Sequence, residues 1–111
     1  MIWQIILFES DRGDKPVEEL IKSLDQITIA KTAHQIELLE KYGSYLGMPH
    51  ARKLTPDLYE LRIRGKEEIR IVYAFIKRNI YLLHAFKKKT QKIPAKEIET
   101  AKKRFDFLTI I

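Results

Sequence analysis

The stretch LLHAFKKKTQKIP, Leu82 to Pro94, ends an apolar run in a histidine, a phenylalanine, a threonine and four lysines within six residues. Imidazole and ammonium groups, joined by the guanidinium of a nearby arginine, could carry out one reaction with no further equipment. RNA supplies its own nucleophile, so its cleavage needs a base for the 2′-hydroxyl, cations for the in-line phosphorane and an acid for the departing 5′-oxygen. His84 is the candidate proton carrier of this run, with a histidine packed at a strand end as the competing reading. Phe86, if exposed beside lysines, would suit a stacked base.

Other chemistries find little support. With no cysteine, disulfides and thiolate metal sites are excluded, and His34, His50 and His84 lack the spacing of a ligand set, so neither metal nor cofactor is expected. No serine elbow or glycine-rich phosphate loop is present. His34 falls in a helical stretch and His50 in the loop after it, and both read as surface histidines.

The charge has a location. Of a net +6, residues 1–55 hold seven Lys/Arg against eight Asp/Glu, whereas residues 56–111 hold fourteen against seven. An excess confined to one half points to a polyanionic partner, most simply nucleic acid, with a solvated basic surface as the alternative. Hydrophobic residues at 45% argue against disorder, and 111 residues suffice for one domain, taken as 1–111. The apolar start is too short to span a membrane and does not resemble a signal peptide, so a cytoplasmic protein with no membrane partner is expected.

The elements that must position these groups follow from periodicity. Ile2 to Phe8 is apolar almost throughout and predicts a central strand covered on both faces. A helix is expected behind Asp14 as N-cap, with Pro16 in its first turn and Val17, Leu20, Ile21 and Leu24 as its apolar stripe. A second spans Thr28 to Tyr42, with Ile29, Ala33, Ile36 and Leu39 inward and Gly43 as its stop. A connection follows, with a short strand near Ala51 to Leu54. Leu58–Arg64, Glu67–Ile76 and Ile80–Phe86 form an antiparallel meander turned at Gly65-Lys66 and at Lys77-Arg78-Asn79. Pro94 opens a last helix striped by Ile98, Ala101, Phe105 and Leu108.

Strand alternation then assigns faces. Glu60, Arg62 and Arg64 lie opposite Tyr59, Leu61 and Ile63; Arg70 lies with Glu68, Val72 and Ala74, opposite Ile69, Ile71, Tyr73 and Phe75. A buried arginine requires a partner, so Arg70 either pairs with a carboxylate such as Glu60, or reaches a cleft and a phosphate. Leu82, His84 and Phe86 share a face on the same rule. Tyr73 reads as core, with proton donor at a cleft rim as the alternative.

LYELRIRGKEEIRIVYAF followed by LLHAFKKKTQKIPAKEIETAKKR resembles the Gp49-like branch of HigB toxins, in the RelE/ParE superfamily; PVEELIKSL, LLEKYG and LGMPHARKL fit the same pattern. The resemblance implies a RelE-like compact α+β fold of order β-α-α-β-β-β-α, an antiparallel sheet with two N-terminal helices on one face and the C-terminal helix on the other. It implies a toxin that cleaves mRNA on the ribosome, is neutralised by a HigA-like helix-turn-helix antitoxin, and meets DNA only through that antitoxin. Carried onto this chain, it gives Arg70 and Lys88 as phosphate and transition-state stabilisers, His84 or a lysine as proton carrier, and Tyr73 as a weaker catalytic candidate. RNA-binding positions would be Arg62, Arg64, Phe86, Lys87, Lys89, Thr90 and Lys92. Glu60 departs from the pattern, standing where RelE-type toxins tend to carry another cation. Two other readings stay open: a non-catalytic RNA- or ribosome-binding module, and a ParE-like toxin directed at DNA gyrase.

Overall fold

In the computed structural model, which describes residues 2–110, the expected elements form in the expected order, together with the short strand after the second helix. These are β1 (Gln4–Leu7), α1 (Pro16–Lys22), α2 (Gln26–Tyr42), β2 (Ala51–Lys53), β3 (Tyr59–Ile63), β4 (Ile69–Ile76), β5 (Asn79–Lys87) and α3 (Ala95–Thr109). The fold is α+β, a five-stranded sheet of order β1-β5-β4-β3-β2 with helices on both faces. No helix among the described residues is long and apolar enough to cross a membrane.

The meander β3-β4-β5 is antiparallel, but β1 joins β5 in parallel, which makes the sheet mixed. β1 is also an edge strand, and the central place belongs to β4, buried at every residue but Phe75. The apolar run of β1 reports that layers cover its faces: Ile5 and Leu7 pack on one core, Phe8 on the other. It carries no information about how many strands flank it.

The two cores sit on opposite faces. Leu61, Ile63, Ile69, Ile71, Tyr73, Ile80 and Leu82 pack with Val17 and Leu24 of the α1 segment and Leu39 of α2. Val72, Ala74, Ile76, Leu83 and Phe86 pack with Ala101 and the partly buried Ile98, Phe105 and Leu108 of α3. Leu82 and Leu83 are both buried because each faces a different core, and the ladder slips beside them: Val72 pairs with His84 but Tyr73 pairs with Leu82, leaving Leu83 as an extra residue in β5 on the same α3 face as His84. The bulge breaks strict alternation. Leu82 therefore lies on the α1/α2 face, away from His84 and Phe86.

Helix ends depart from expectation in one place. Asp14 does not cap α1; its backbone N–H donates to Ser10 Oγ, and Lys15 holds the cap position with no side-chain bond. α2 starts slightly earlier than expected because Asp25 accepts from the backbone N–H of Thr28 at 2.7 Å. Its buried positions are Thr28, Thr32 and Leu39, whereas Ala33 is exposed; the Thr32 hydroxyl is satisfied by the Thr28 carbonyl at 2.8 Å. Gly43 ends α2 at φ +50, where a side chain would also run into the Trp3 indole.

Candidate functional site

The basic edge lies where β5 runs out. Lys88 N–H donates to the Glu68 carbonyl at 2.8 Å, so the start of the β5–α3 connection is fastened to the β3–β4 turn. Lys87 is held at that turn by Glu67, 3.3 Å away. Lys88, Lys89 and Lys92 make no ion pair among the described residues. Thr90 donates its hydroxyl to the Lys92 carbonyl at 2.5 Å, which folds the connection back on itself before Pro94 and α3. Three ammonium groups are thus presented on a short tied loop.

Behind them runs a ladder of alternating charge across β2, β3 and β4. Glu60 is 1% exposed and faces Arg52 on one side and Arg70 on the other, with Arg70 Nε at 3.2 Å from Oε1. That last contact is ionic only, since neither atom completes a hydrogen bond with the other. Arg70, 3% exposed, also donates to Glu68 Oε1 at 3.1 Å and to the Ile69 carbonyl at 3.2 Å. Arg64 closes the ladder against Glu68 at 3.7 Å. Burial pushes the Glu68 carboxyl up, but the hydrogen bond and charge of Arg70, with Arg64, outweigh it and hold the group below its ordinary value. The Glu60 partner expected for Arg70 is present, and Arg70 lies beneath the surface.

His84 is equally engaged. Its Nε2 lies 2.7 Å from Glu97 Oε1 and its Nδ1 3.2 Å from Arg104 Nη1, both partners belonging to α3. A guanidinium can only donate, so Nδ1 accepts and the ring is the Nε2–H tautomer, donating to Glu97. Phe86 is buried and stacks on the imidazole at 5.6 Å, so it supports His84 and does not offer an exposed platform to a base. Arg104 further donates to the Leu83 carbonyl at 2.8 Å and lies over the Phe8 ring at 5.3 Å; burial lowers its pKa.

The sheet separates Tyr73 from this group. It is 1% exposed on the α1/α2 face, stacked on Tyr59 at 5.5 Å, and burial, with the Tyr59 charge, pushes its phenol well up. It does not join the site. Arg62 pairs with Arg70 across β3 and β4, its Nη1 3.4 Å from the Met48 sulfur.

A family model described as Phage derived protein Gp49-like (DUF891) matches residues 19–106, from within α1 to near the end of α3. The chain belongs to this family. The Gp49-like match takes in the whole charge ladder, the lysine loop and the His84–Glu97–Arg104 cluster. Gp49-like membership is consistent with a toxin of a toxin–antitoxin pair. No curated protein matches the sequence.

Sequence reasoning missed Glu97 and Arg104 in this Gp49-like site. A signal was present: both lie at helical spacing from Ala101 and Leu108, which places two charged residues on the apolar stripe of α3. Arg52 was also overlooked, since a two-residue alternation does not reveal which strands are neighbours; Glu68 was placed on the face of Arg70 without being named as its partner.

Proposed function

We propose that this chain is the toxin of a type II toxin–antitoxin pair, an endoribonuclease that cleaves mRNA on the ribosome in the cytoplasm. The observation that carries the reading is the contrast between paired and unpaired cations. Arg52, Arg64 and Arg70 are each matched to a carboxylate, whereas Lys88, Lys89 and Lys92 are held on a tied loop with no such partner among the described residues. Unpaired ammonium groups at a fixed edge are what a phosphate backbone binds.

In this reading Lys88 contacts the scissile phosphate and Lys87, Lys89 and Lys92, with Arg64 and Thr90, guide the strand. Arg70 is a positioning residue: it fixes Glu68, whose carbonyl holds the Lys88 backbone. The His84–Glu97 pair handles protons, its tautomer set by Arg104. A HigA-like helix-turn-helix antitoxin would cover the basic edge and supply the only contact with DNA.

A second reading draws on the same geometry. Arg70 and both ring nitrogens of His84 are satisfied internally, which favours a non-catalytic RNA- or ribosome-binding module. Mapping mRNA 5′ ends after controlled expression separates the two. Codon-phased cuts that vanish in the Arg70→Ala, Lys88→Ala double variant support cleavage; growth arrest with intact mRNA overturns it, and accompanying DNA damage would point to gyrase.

A further inference from the structure

On the other side of the β3–β4 turn, a half-open groove of about 460 Å³ lies between α2 and β3, lined by Lys31, His34, Gln35, His50, Arg62 and Arg64, with apolar residues between them. No carboxylate lines it. The volume falls within the usual range of small-molecule sites, about 300–1,000 Å³. We infer that this groove is a second RNA-binding site, which holds a nucleotide of the strand flanking the one at the lysine loop. The inference rests on RNA as the ligand and adds a site and residues that the lysine loop does not include.

Arg62 is the first ground. Of the arginines at positions 52, 62, 64 and 70, it alone has no carboxylate partner among the described residues. Its Nε is buried with no acceptor, and Nη1 meets only a thioether sulfur, a weak one. A guanidinium left in this state is short of an anionic oxygen. Alternation sets it on the Arg70 face of β3, so it meets the RNA strand as it leaves the groove, while the Arg62 main chain lines the groove itself.

The second ground is how the groove is built. The Gln35 amide donates to the Arg62 carbonyl at 2.9 Å and lies 3.3 Å from His50 Nδ1. Both its hydrogens are then used on one strand and one imidazole, which fixes the ring and leaves His50 Nε2–H as the remaining donor. Lys31 reaches from α2 over the turn at Gly65, its Nζ 2.6 Å from where a Cβ would stand on that residue. The absent side chain is what admits the ammonium.

Continuity is the third. Arg64 lines the groove and pairs with Glu68, whose carbonyl fastens Lys88. Groove and lysine loop therefore flank one turn, and a single strand can cross it.

The test uses the full chain and its three histidines, 34, 50 and 84, as separate imidazole NMR reporters. Adenosine monophosphate and a labelled single-stranded oligoribonucleotide are the probes. Saturable shifts of His34 and His50 with both probes are expected, with His84 unmoved by the mononucleotide. Lys31→Ala should reduce the slope of log affinity for the oligonucleotide against log salt by about one. Gly65→Ala should weaken binding while keeping the fold, since the added methyl meets the end of a flexible side chain. Oligonucleotide binding, seen by anisotropy, with His34 and His50 unmoved would overturn the groove and leave the lysine loop standing; so would an unchanged salt slope. Shifts with the mononucleotide, in a protein that leaves cellular mRNA intact, would support the groove and sink cleavage instead.

Discussion

Arg104 donates from α3 to the carbonyl oxygen of Leu83, 2.8 Å away, at the residue by which β5 outruns its ladder with β4. A bulge leaves a main-chain group without its strand partner, and here a helix supplies the donor. Arg104→Met keeps the aliphatic packing and removes the donor, so it should cost about 1–3 kcal/mol in urea denaturation. The same variant should release His84 from its single tautomer, visible in its ring nitrogen shifts.

Glu60 and Arg70 allow fold and chemistry to be parted. Removing Arg70 leaves the buried Glu60 with only the half-exposed Arg52 as partner, so Arg70→Met alone should destabilise by roughly 3 kcal/mol. Adding Glu60→Leu removes the stranded charge and should recover most of that loss. RNA cleavage by the double variant then decides: continued loss with restored stability assigns Arg70 a part in the site, and recovered cleavage reduces its role to packing.

Tyr73→Phe should leave the proposed cleavage and its pH profile unchanged, because the ring packs on the α1/α2 face whereas His84 bonds to α3 on the other. A stability change of about 1.5 kcal/mol or less is expected. A large fall in turnover at unchanged stability would place Tyr73 in the chemistry.

Acid should weaken the turn beneath the lysines. The Glu68 carboxyl is held below its ordinary 4.5, so its ionised form stabilises the fold fully above that value. This contribution is lost as pH falls through the lowered folded-state value. Glu68→Gln should be less stable than wild type near neutrality, and the gap should close on acidification. Thermal melts across that range check it.

Lys77 and Arg78, at φ +49 and +69, form the two-residue turn between β4 and β5. Both sit in the left-handed region that side chains resist. Replacing them with Asn-Gly should stabilise by roughly 1–2 kcal/mol, measured by denaturation, without altering RNA affinity.

The strands of the meander were legible because their alternation is strong: Tyr59, Leu61 and Ile63 face one core as spacing requires. The Arg70–Glu60 pair was legible too, since a charge in a buried run demands its opposite. Alternation fails once a residue is inserted, and nothing in LLHAF announces that Leu83 is the extra one. Ala33 was misplaced because helical spacing fits several stripes, and the buried one uses threonines whose hydroxyls bond within the helix. His84 showed a strand end among lysines, while its partners come from a helix, Glu97 and Arg104, that only tertiary packing brings near.

The parallel pairing of β1 with β5 ties the first strand made to one of the last. A chain still in synthesis has no place to dock Gln4–Leu7 until Asn79–Leu82 has emerged, and contacts so distant in sequence form late. The lysine loop follows immediately after β5. An interrupted translation product would therefore lack both the basic edge and the strand that shelters its N-terminal segment, leaving an exposed sheet fragment for proteolysis. On the proposed toxin reading, harm to the cell belongs to the completed fold alone.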